Sequence, residues 1–187
     1  MKQIKEKPQH KFNKIYLLLM IILIALILTN IYLITFKPKE EIKIPGIQEI
    51  KEEEILKALS VDDYYKTDVN VTVNGLFLTN NCKSLILSVD EFQAYSIDRG
   101  IKKHVDFRPT VHDLIEDILQ SFKVKVTMAK ISEIGEGTYY ANLILKQDGK
   151  VLNLDSKPSD AVAVAVREDA PIFVKKNLLD EFGVKSC

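Results

Sequence analysis

Asp155, Ser159 and Asp160 are the residues of this chain with the clearest chemical potential, and they share the run DSKPSDAVAVAVR, from Asp155 to Arg167. The run joins a predicted strand, which ends at the Asp155 carboxylate, to a predicted helix, which begins at Pro158. Polar groups concentrated at such a junction indicate a functional site. A structural interpretation stays open, in which Ser159 and Asp160 only cover exposed N–H groups of the first helical turn.

A second pair of chemical groups lies on the helix predicted from Thr110 to Phe122, where Thr110 is the expected N-cap. His112 and Glu116 are four residues apart, so a helix places them one turn apart on one face. There they can ligate a metal or transfer a proton, although a solvent-facing pair explains the same spacing. Another face is predicted to pack on the core, because its apolar residues recur at intervals of three and four: Val111, Leu114, Ile115, Ile118, Leu119 and Phe122.

The dipeptide Asp148-Gly149 predicts a two-residue hairpin loop that fixes the pairing of its two strands. In that register Gln147 lies opposite Lys150, and the leucines at 143 and 145 face those at 154 and 152. Asn142 then lies opposite Asp155. Because side chains alternate along a strand, the Asp155 carboxylate is expected on the sheet face away from the leucines.

The remaining patterns predict an α+β domain with a mixed or antiparallel sheet and packed helices. Strands are expected at 69–79, 84–89, 123–132, 138–146 and 171–174. Short helices are expected at 61–65, 90–97 and 175–182. The helix that begins at Pro158 carries AVAVAV, which is apolar on every side, so it must be buried, and a second subunit is one way to bury it.

The first 59 residues are predicted to form three segments: a basic cytoplasmic tail at 1–14, a transmembrane helix at 15–36 and a charged stalk at 37–59. The span from Ile15 to Phe36 has no charged residue, and as a helix it would be roughly 33 Å long, about one bilayer core. The run is too long for the core of a signal peptide. Five lysines precede it and three follow closely, at 37, 39 and 43, which favours a single-pass protein whose domain at 60–187 lies outside the cytoplasm.

Charge and cysteine content narrow the functional classes. From Ser60 onward there are 16 Lys and Arg against 19 Asp and Glu, a net charge of about minus three. This balance argues against strong, non-specific nucleic-acid binding. Cys82 and Cys187 are far apart in the chain and match no metal-binding spacing, so two inert thiols are expected rather than a disulfide.

Several motifs occur in the order found in the bifunctional nuclease domain family, and this chain resembles that family from about 69 to 183. The motifs are EFQA at 91–94, RPTVHDL at 108–114, GTYYANLIL at 137–145, DSKPSDAVAVAVR at 155–167 and APIFV at 170–174. The family has Arg where this chain has Lys157, which keeps the charge but loses the planar fork. The resemblance implies an α+β fold that is often dimeric, with activity on both DNA and RNA.

For a nuclease, the resemblance implies a carboxylate-bound Mg²⁺ or Mn²⁺ that neutralises charge on the phosphate. Asp155, Asp160 and Glu91 are the expected metal ligands and His112 the expected catalytic base or acid. Phosphate would be held by three further residues: Arg108, Lys157 and Ser159. Two alternatives stay open. One is a non-catalytic, dimeric, membrane-tethered module that binds a ligand or protein, and the other is a buried ion-pair network of Arg108, Asp155 and Asp160 that only stabilises the fold.

Overall fold

The computed structural model describes residues 14–35 and 52–187, and the chain divides into two compact units, Met1–Gln48 and Glu49–Cys187. In the first unit, α1 (Lys14–Thr35) is a helix, and its side chains are described from Tyr16 to Tyr32, all of them exposed. Counted over the described residues alone, no helix reaches the length and apolar character needed to cross a membrane. The predicted tail at 1–13 and most of the predicted stalk lie outside the described residues.

The second unit has the predicted α+β class. Its helices are α2 (Glu52–Leu59), α3 (Glu91–Ile101), α4 (Val111–Ser121), α5 (Pro158–Arg167) and α6 (Lys176–Phe182). Its strands are β1 (Tyr64–Thr72), β2 (Gly75–Asn80), β3 (Lys83–Ser88), β4 (Lys125–Gly135), β5 (Thr138–Gln147), β6 (Lys150–Ser156), β7 (Ile172–Lys175) and β8 (Val184–Lys185).

These eight strands form one sheet in the order β6-β5-β4-β7-β1-β2-β3-β8. The β4–β7 pair is parallel and the other six neighbouring pairs of the described sheet are antiparallel. The first half of β1 pairs with β7 and its second half with β2, so β1 joins the two halves of the sheet.

The predicted β5–β6 hairpin is confirmed residue by residue. Gln147 pairs with Lys150 and Asn142 with Asp155, and the four leucines pair as expected. Asp148 and Gly149 both have positive φ, at 47° and 81°, as a tight loop of this kind requires.

Helix α5 is buried, as its apolar sequence predicts, and its own subunit provides the cover. Ala161, Val162 and Ala163 have no exposed surface, and the helix contacts α3, α4, β4 and β5. The suggested second subunit is therefore not needed to bury α5.

The opposite face of the sheet is covered by α2. Ile144 alternates with the buried Leu143 and Leu145 along β5, so it points to this other face, where it packs with Ala58 and Met128. The compact unit therefore includes α2, although its residues belong to the predicted stalk at 37–59. Lys130 on β4 fastens α2, because its buried Nζ donates to the carbonyls of Ala58 at 3.0 Å and Ser60 at 2.7 Å.

Two local predictions are wrong. Residues 61–65 do not form a helix: Asp62 and Asp63 form a turn, and β1 begins at Tyr64. Residues 69–79 are not one strand, because Val73 and Asn74 form a tight turn between β1 and β2. The β-branched residues Val69, Val71 and Thr72, which lead into Val73, concealed the turn in the sequence.

The expectation of two free thiols is also wrong, because Cys82 and Cys187 form a disulfide with a Cα–Cα distance of 5.3 Å. Strand β8 pairs with β3 through Lys83–Lys185 and Ser84–Val184. This pairing brings Cys187 beside the turn that carries Cys82, although 105 residues separate the two in sequence.

Replacing Lys130 by Met should loosen α2. The change removes both hydrogen bonds to the carbonyls at the end of α2 and should lower the free energy of unfolding by roughly 1–3 kcal/mol. Hydrogen exchange should quicken in the α2 amides more than in α5. Lys125→Met is the control, since it replaces an exposed lysine on the same strand; equal effects of the two variants would contradict this role of Lys130.

Candidate functional site

The start of α4 and the start of α5 bring His112 and Asp160 together. His112 is buried, with 7% of the residue exposed, and the Nε2 of its imidazole lies 3.5 Å from Asp160 Oδ1. Its Nδ1 lies 2.8 Å from the Ser96 hydroxyl on α3. The Asp160 side chain is 46% exposed, so this carboxylate connects a buried histidine to solvent.

Behind His112 is a buried ion pair between Arg167, at the end of α5, and Asp113 on α4. Arg167 Nε donates to Asp113 Oδ1 at 2.7 Å, and Arg167 Nη1 donates to the Ala163 carbonyl at 2.8 Å. Asp113 Oδ2 also accepts from the N–H and hydroxyl of Thr110, at 2.6 and 2.8 Å. The pair is therefore hydrogen-bonded on nearly every side, as a buried ion pair must be to hold its place.

This network assigns the tautomer of His112. Arg167 Nη2 donates to the hydroxyls of Ser96 and Thr110, each at 3.3 Å. The Thr110 hydroxyl donates its hydrogen bond to Asp113. The Ser96 hydroxyl therefore donates to its nearest acceptor, His112 Nδ1. By this hydrogen-bond accounting, Nε2 carries the imidazole proton and presents it to Asp160.

The electrostatics agree with a neutral imidazole. Burial lowers the pKa of His112 and outweighs Asp160, which acts to raise it. Burial alone would raise the pKa of Asp113, but hydrogen bonds from Arg167 and Thr110 bring it below its ordinary value. The ion pair therefore stays charged near neutral pH, while the adjacent histidine stays uncharged.

The start of α5 has no side-chain cap. Lys157 is the N-cap residue, and no side chain forms a capping hydrogen bond there. Neither Ser159 nor Asp160 forms a capping hydrogen bond there: Ser159 is buried, and Asp160 lies in the first turn, as expected, but faces His112. The helix start carries a partial positive charge, which suits an anion. Pro158 has no N–H, and the N–H groups of Asp160 and Ala161 donate to the Lys157 carbonyl, so among the first four helical residues Ser159 alone keeps its N–H outside these bonds.

The other predicted site residues lie apart from this pair. Asp155 is exposed on β6, and the confirmed register directs it to the sheet face away from the buried leucines, α4 and α5. Glu91 lines a shallow cavity of about 330 Å³ with Tyr95 and Asp98. Arg108 is exposed just before α4.

The predicted metal ligands do not come together in this arrangement. The part of the chain that the structure describes has no group of three or more His, Cys, Asp or Glu side chains placed to hold a metal. The predicted set of Asp155, Asp160 and Glu91 does not fit a three-carboxylate metal site, because two of its members face other surfaces.

The buried network also differs from the one suggested by sequence. Arg108 and Asp155 are exposed and Asp160 is half-exposed, so these three form no buried ion-pair network. The residues that do form it, Asp113 and Arg167 with Ser96, were missed. Two features of the sequence could have indicated this network: the capping box between Thr110 and Asp113, and a lone arginine at the end of an apolar helix.

The predicted core face of α4 is confirmed only in part. Leu119 is buried and Ile115 packs against the core, but Val111 and Leu114 are exposed, as are Ile118 and Phe122, while His112 and Asp113 are buried. The reason is the ion pair, because Asp113 must face Arg167 and the helix turns accordingly. Glu116 is half-buried, and its pKa is raised mainly by burial and also by repulsion from Glu168. Because His112 is buried and Glu116 half-buried, the solvent-facing interpretation of this pair is wrong.

Replacing His112 by Gln should remove one component of the pH dependence of stability. Because the folded-state pKa of His112 is lowered, the unfolded chain binds this proton more readily. His112 therefore destabilises the fold as pH falls below about 6.5, and its effect is absent above that value. Denaturation from pH 8 to 5 should show a shallower loss in His112→Gln, whereas His104→Gln, at an exposed histidine, should behave like the parent. Identical slopes for all three proteins would contradict the assignment.

Comparison with known proteins is consistent with the motifs. The chain is 38% identical over 77 residues to an uncharacterized protein of Mycobacterium tuberculosis, a match that covers 41% of this chain and 45% of that protein. It is 31% identical over 81 residues to bifunctional nuclease 1 of Oryza sativa subsp. japonica and 28% identical over 81 residues to bifunctional nuclease 1 of Arabidopsis thaliana. Those matches cover 42% of this chain and 24% and 25% of the plant proteins, so the chain spans less than half the length of these relatives. The bifunctional nuclease domain profile matches residues 76–186, more than half of the sequence, and the chain therefore belongs to the bifunctional nuclease domain family.

Proposed function

We propose that this protein hydrolyses phosphodiester bonds in DNA and RNA, with the His112–Asp160 pair as its active site. The observation that carries the proposal is the geometry of that pair: a neutral, buried imidazole holds a half-exposed carboxylate at the uncapped start of a helix. The resemblance to plant bifunctional nucleases supports the choice of reaction.

Phosphate would bind at the start of α5. The helix offers the partial positive charge of its N-terminus there, with the Lys157 side chain at the N-cap and the Ser159 N–H in the first turn. Arg108 lies just before α4 and, like Lys157, is exposed and forms no ion pair within the described residues. In a domain with a net charge of about minus three, these local cations are needed to attract a nucleic-acid backbone.

Asp160 is the proposed general base. It would accept a proton from water as the water oxygen attacks phosphorus, and the departing sugar oxygen would take a proton from solvent. Since Nδ1 of His112 is occupied by Ser96, the histidine in this proposal donates Nε2–H to Asp160 and orients it. The role of His112 thus changes from base or acid to hydrogen-bond donor.

Mg²⁺ or Mn²⁺ enters the proposal in a limited way. Of the three predicted metal ligands, only Asp160 lies beside His112. An ion at this site would therefore be coordinated mainly by phosphate oxygens and by water. When bound, such an ion would neutralise charge on the phosphate. The chemistry assigned to Asp160 and His112 does not require it.

A non-catalytic ligand-binding or protein-binding module is the second candidate. It is favoured by the acidic balance of the domain and by the absence of a three-donor metal group among the described residues. In that case the same uncapped helix start would bind an anionic ligand without cleaving it.

The proposal includes a membrane anchor at 15–36 and a domain outside the cytoplasm. The uncharged sequence and the lysine distribution support the anchor, and the Cys82–Cys187 disulfide supports an oxidising compartment. A reporter fused after Cys187 that is active only in the cytoplasm should give no signal, and strong activity would refute this orientation.

Cleavage of labelled single-stranded DNA and RNA by the full chain should depend on Asp160. Asp160→Asn should reduce the rate at least a hundredfold, because it removes the proposed base. His112→Gln should reduce it about tenfold to a hundredfold through loss of orientation. Asp155→Asn is the matched control: it replaces an exposed aspartate on the other sheet face and should leave the rate within about twofold.

Each assay is run with Mg²⁺, with Mn²⁺ and with chelator. Loss of cleavage in Asp155→Asn but not in Asp160→Asn would contradict the proposed site. No cleavage by the parent under any condition, together with retained anion binding, would support the binding module instead.

A further inference from the structure

The connection between α3 and α4, residues 102–110, carries an aromatic ring that faces solvent. Phe107 is 99% exposed, the highest value of any large apolar side chain that the structure describes. Single apolar side chains are common on protein surfaces, so exposure alone does not mark a site. The surroundings of this ring, its backbone, its charged neighbours and its distance from the active site, indicate its function.

We propose that Phe107 is a stacking platform for an unpaired base, so that the protein acts on single strands. The inference rests on the proposed function and names its substrate class. An aromatic ring stacks on the face of any base, which gives binding with little sequence preference. In a duplex each base is already stacked between its neighbours, so only a single strand or an extruded base offers that face.

The backbone on both sides of Phe107 is held in place. On one side, the Asp106 carboxylate accepts a hydrogen bond from the Tyr95 hydroxyl on α3. Arg99 Nε, also on α3, lies 3.6 Å from the same carboxylate. On the other side, Thr110 caps α4. The ring is therefore presented from an ordered backbone, which reduces the conformational entropy lost when a base binds.

Phe107 also lies close to the proposed active site. Thr110 is three positions further along the chain, a stretch of at most about 11 Å between Cα atoms. The Thr110 hydroxyl and His112 Nδ1 both contact the Ser96 hydroxyl, at 3.4 and 2.8 Å. A base on Phe107 and a phosphate beside Asp160 can therefore belong to one short stretch of nucleic acid.

The charge of this connection suits a nucleic-acid strand. Residues 102–110 contain three Lys and Arg against one Asp, a net charge of plus two. The rest of the domain from Ser60 contains 13 against 18, a net charge of minus five, so its acidic balance lies elsewhere. Arg108 adjoins Phe107, is exposed and forms no ion pair within the described residues. The ring and the guanidinium can thus bind a base and a neighbouring phosphate.

A second exposed phenylalanine allows a comparison within the same domain. Phe92 on α3 is 85% exposed, but it directly follows Asp90 and Glu91. These two carboxylates would repel a phosphate backbone. Phe92 is thus nearly as accessible as Phe107 but has no adjacent cation to attract a strand.

Tryptophan fluorescence tests the stacking directly, because the chain contains no native Trp. The full chain carries Asp160→Asn, which prevents the proposed cleavage. Single-stranded oligodeoxythymidine should quench the emission of Phe107→Trp, since a stacked base quenches an indole. Phe92→Trp is the matched control and should keep its emission, and the same strand paired with its complement should quench neither variant. An unquenched Phe107→Trp, whether or not the strand binds, would overturn the proposal.

Affinity for the labelled strand, measured by fluorescence anisotropy in the same background, provides a second test. Phe107→Ala should weaken binding about fivefold or more, because it removes one stacked base. Phe107→Leu should do the same, since it keeps apolar bulk without an aromatic face, whereas Phe107→Tyr should bind like the parent. Phe92→Ala should also bind like the parent. Equal affinities of Phe107→Ala and Phe92→Ala would contradict the platform.

The outcomes separate the platform from the nuclease. Cleavage of single strands that Phe107→Ala leaves unchanged would overturn the platform while the nuclease stands. Binding that depends on Phe107, in a parent that cleaves neither DNA nor RNA, would support the platform and refute the nuclease. In lipid nanodiscs, an emission of Phe107→Trp that is blue-shifted relative to Phe92→Trp and not quenched by single strands would place the ring in the bilayer and overturn the proposal.

Discussion

The ion pair between Arg167 and Asp113 is the constraint on which the site depends. Both groups are buried, so each must be fully hydrogen-bonded, and this requirement fixes α3, α4 and α5 relative to one another. The same requirement rotates α4 so that Asp113 and His112 face inward. Arg167 is buried and lies 54 residues after Asp113, and its hydrogen bonds to Asp113 and Ser96 hold α4 in place. The position of the His112 imidazole beside Asp160 follows from those bonds.

Local signals explain how much of the fold was predictable. Asp148-Gly149 specifies both the loop and the register of its strands, and Pro158 marks the start of α5, so both predictions are confirmed. The orientation of α4 was not predictable in the same way. Its apolar spacing is real, but of that stripe only Ile115 and Leu119 reach the core. The partner that decides the rotation is Arg167, which no local pattern connects to Asp113.

The same distinction applies to the candidate site. The sequence identified His112 and Asp160 as chemical groups, and the structure brings them within 3.5 Å of each other. Asp155 was grouped with them because it ends the strand before α5, and Glu91 because its carboxylate suits a metal. The alternation of a strand and the position of α3 direct them elsewhere. A disulfide across 105 residues was likewise invisible until β8 was seen to pair with β3.

That disulfide divides the domain mechanically. Residues 82–187 form a closed covalent ring that contains α3, α4 and α5, whereas α2 and β1 lie outside it. A pulling force applied to the N-terminal side would act first on α2 and then on β1, which is held between β7 and β2 by backbone hydrogen bonds. The helices of the proposed active site would bear that load only after β1 had been drawn out of the sheet. In the proposed membrane-anchored protein, the domain would therefore yield at its N-terminal side while its chemical groups keep their places.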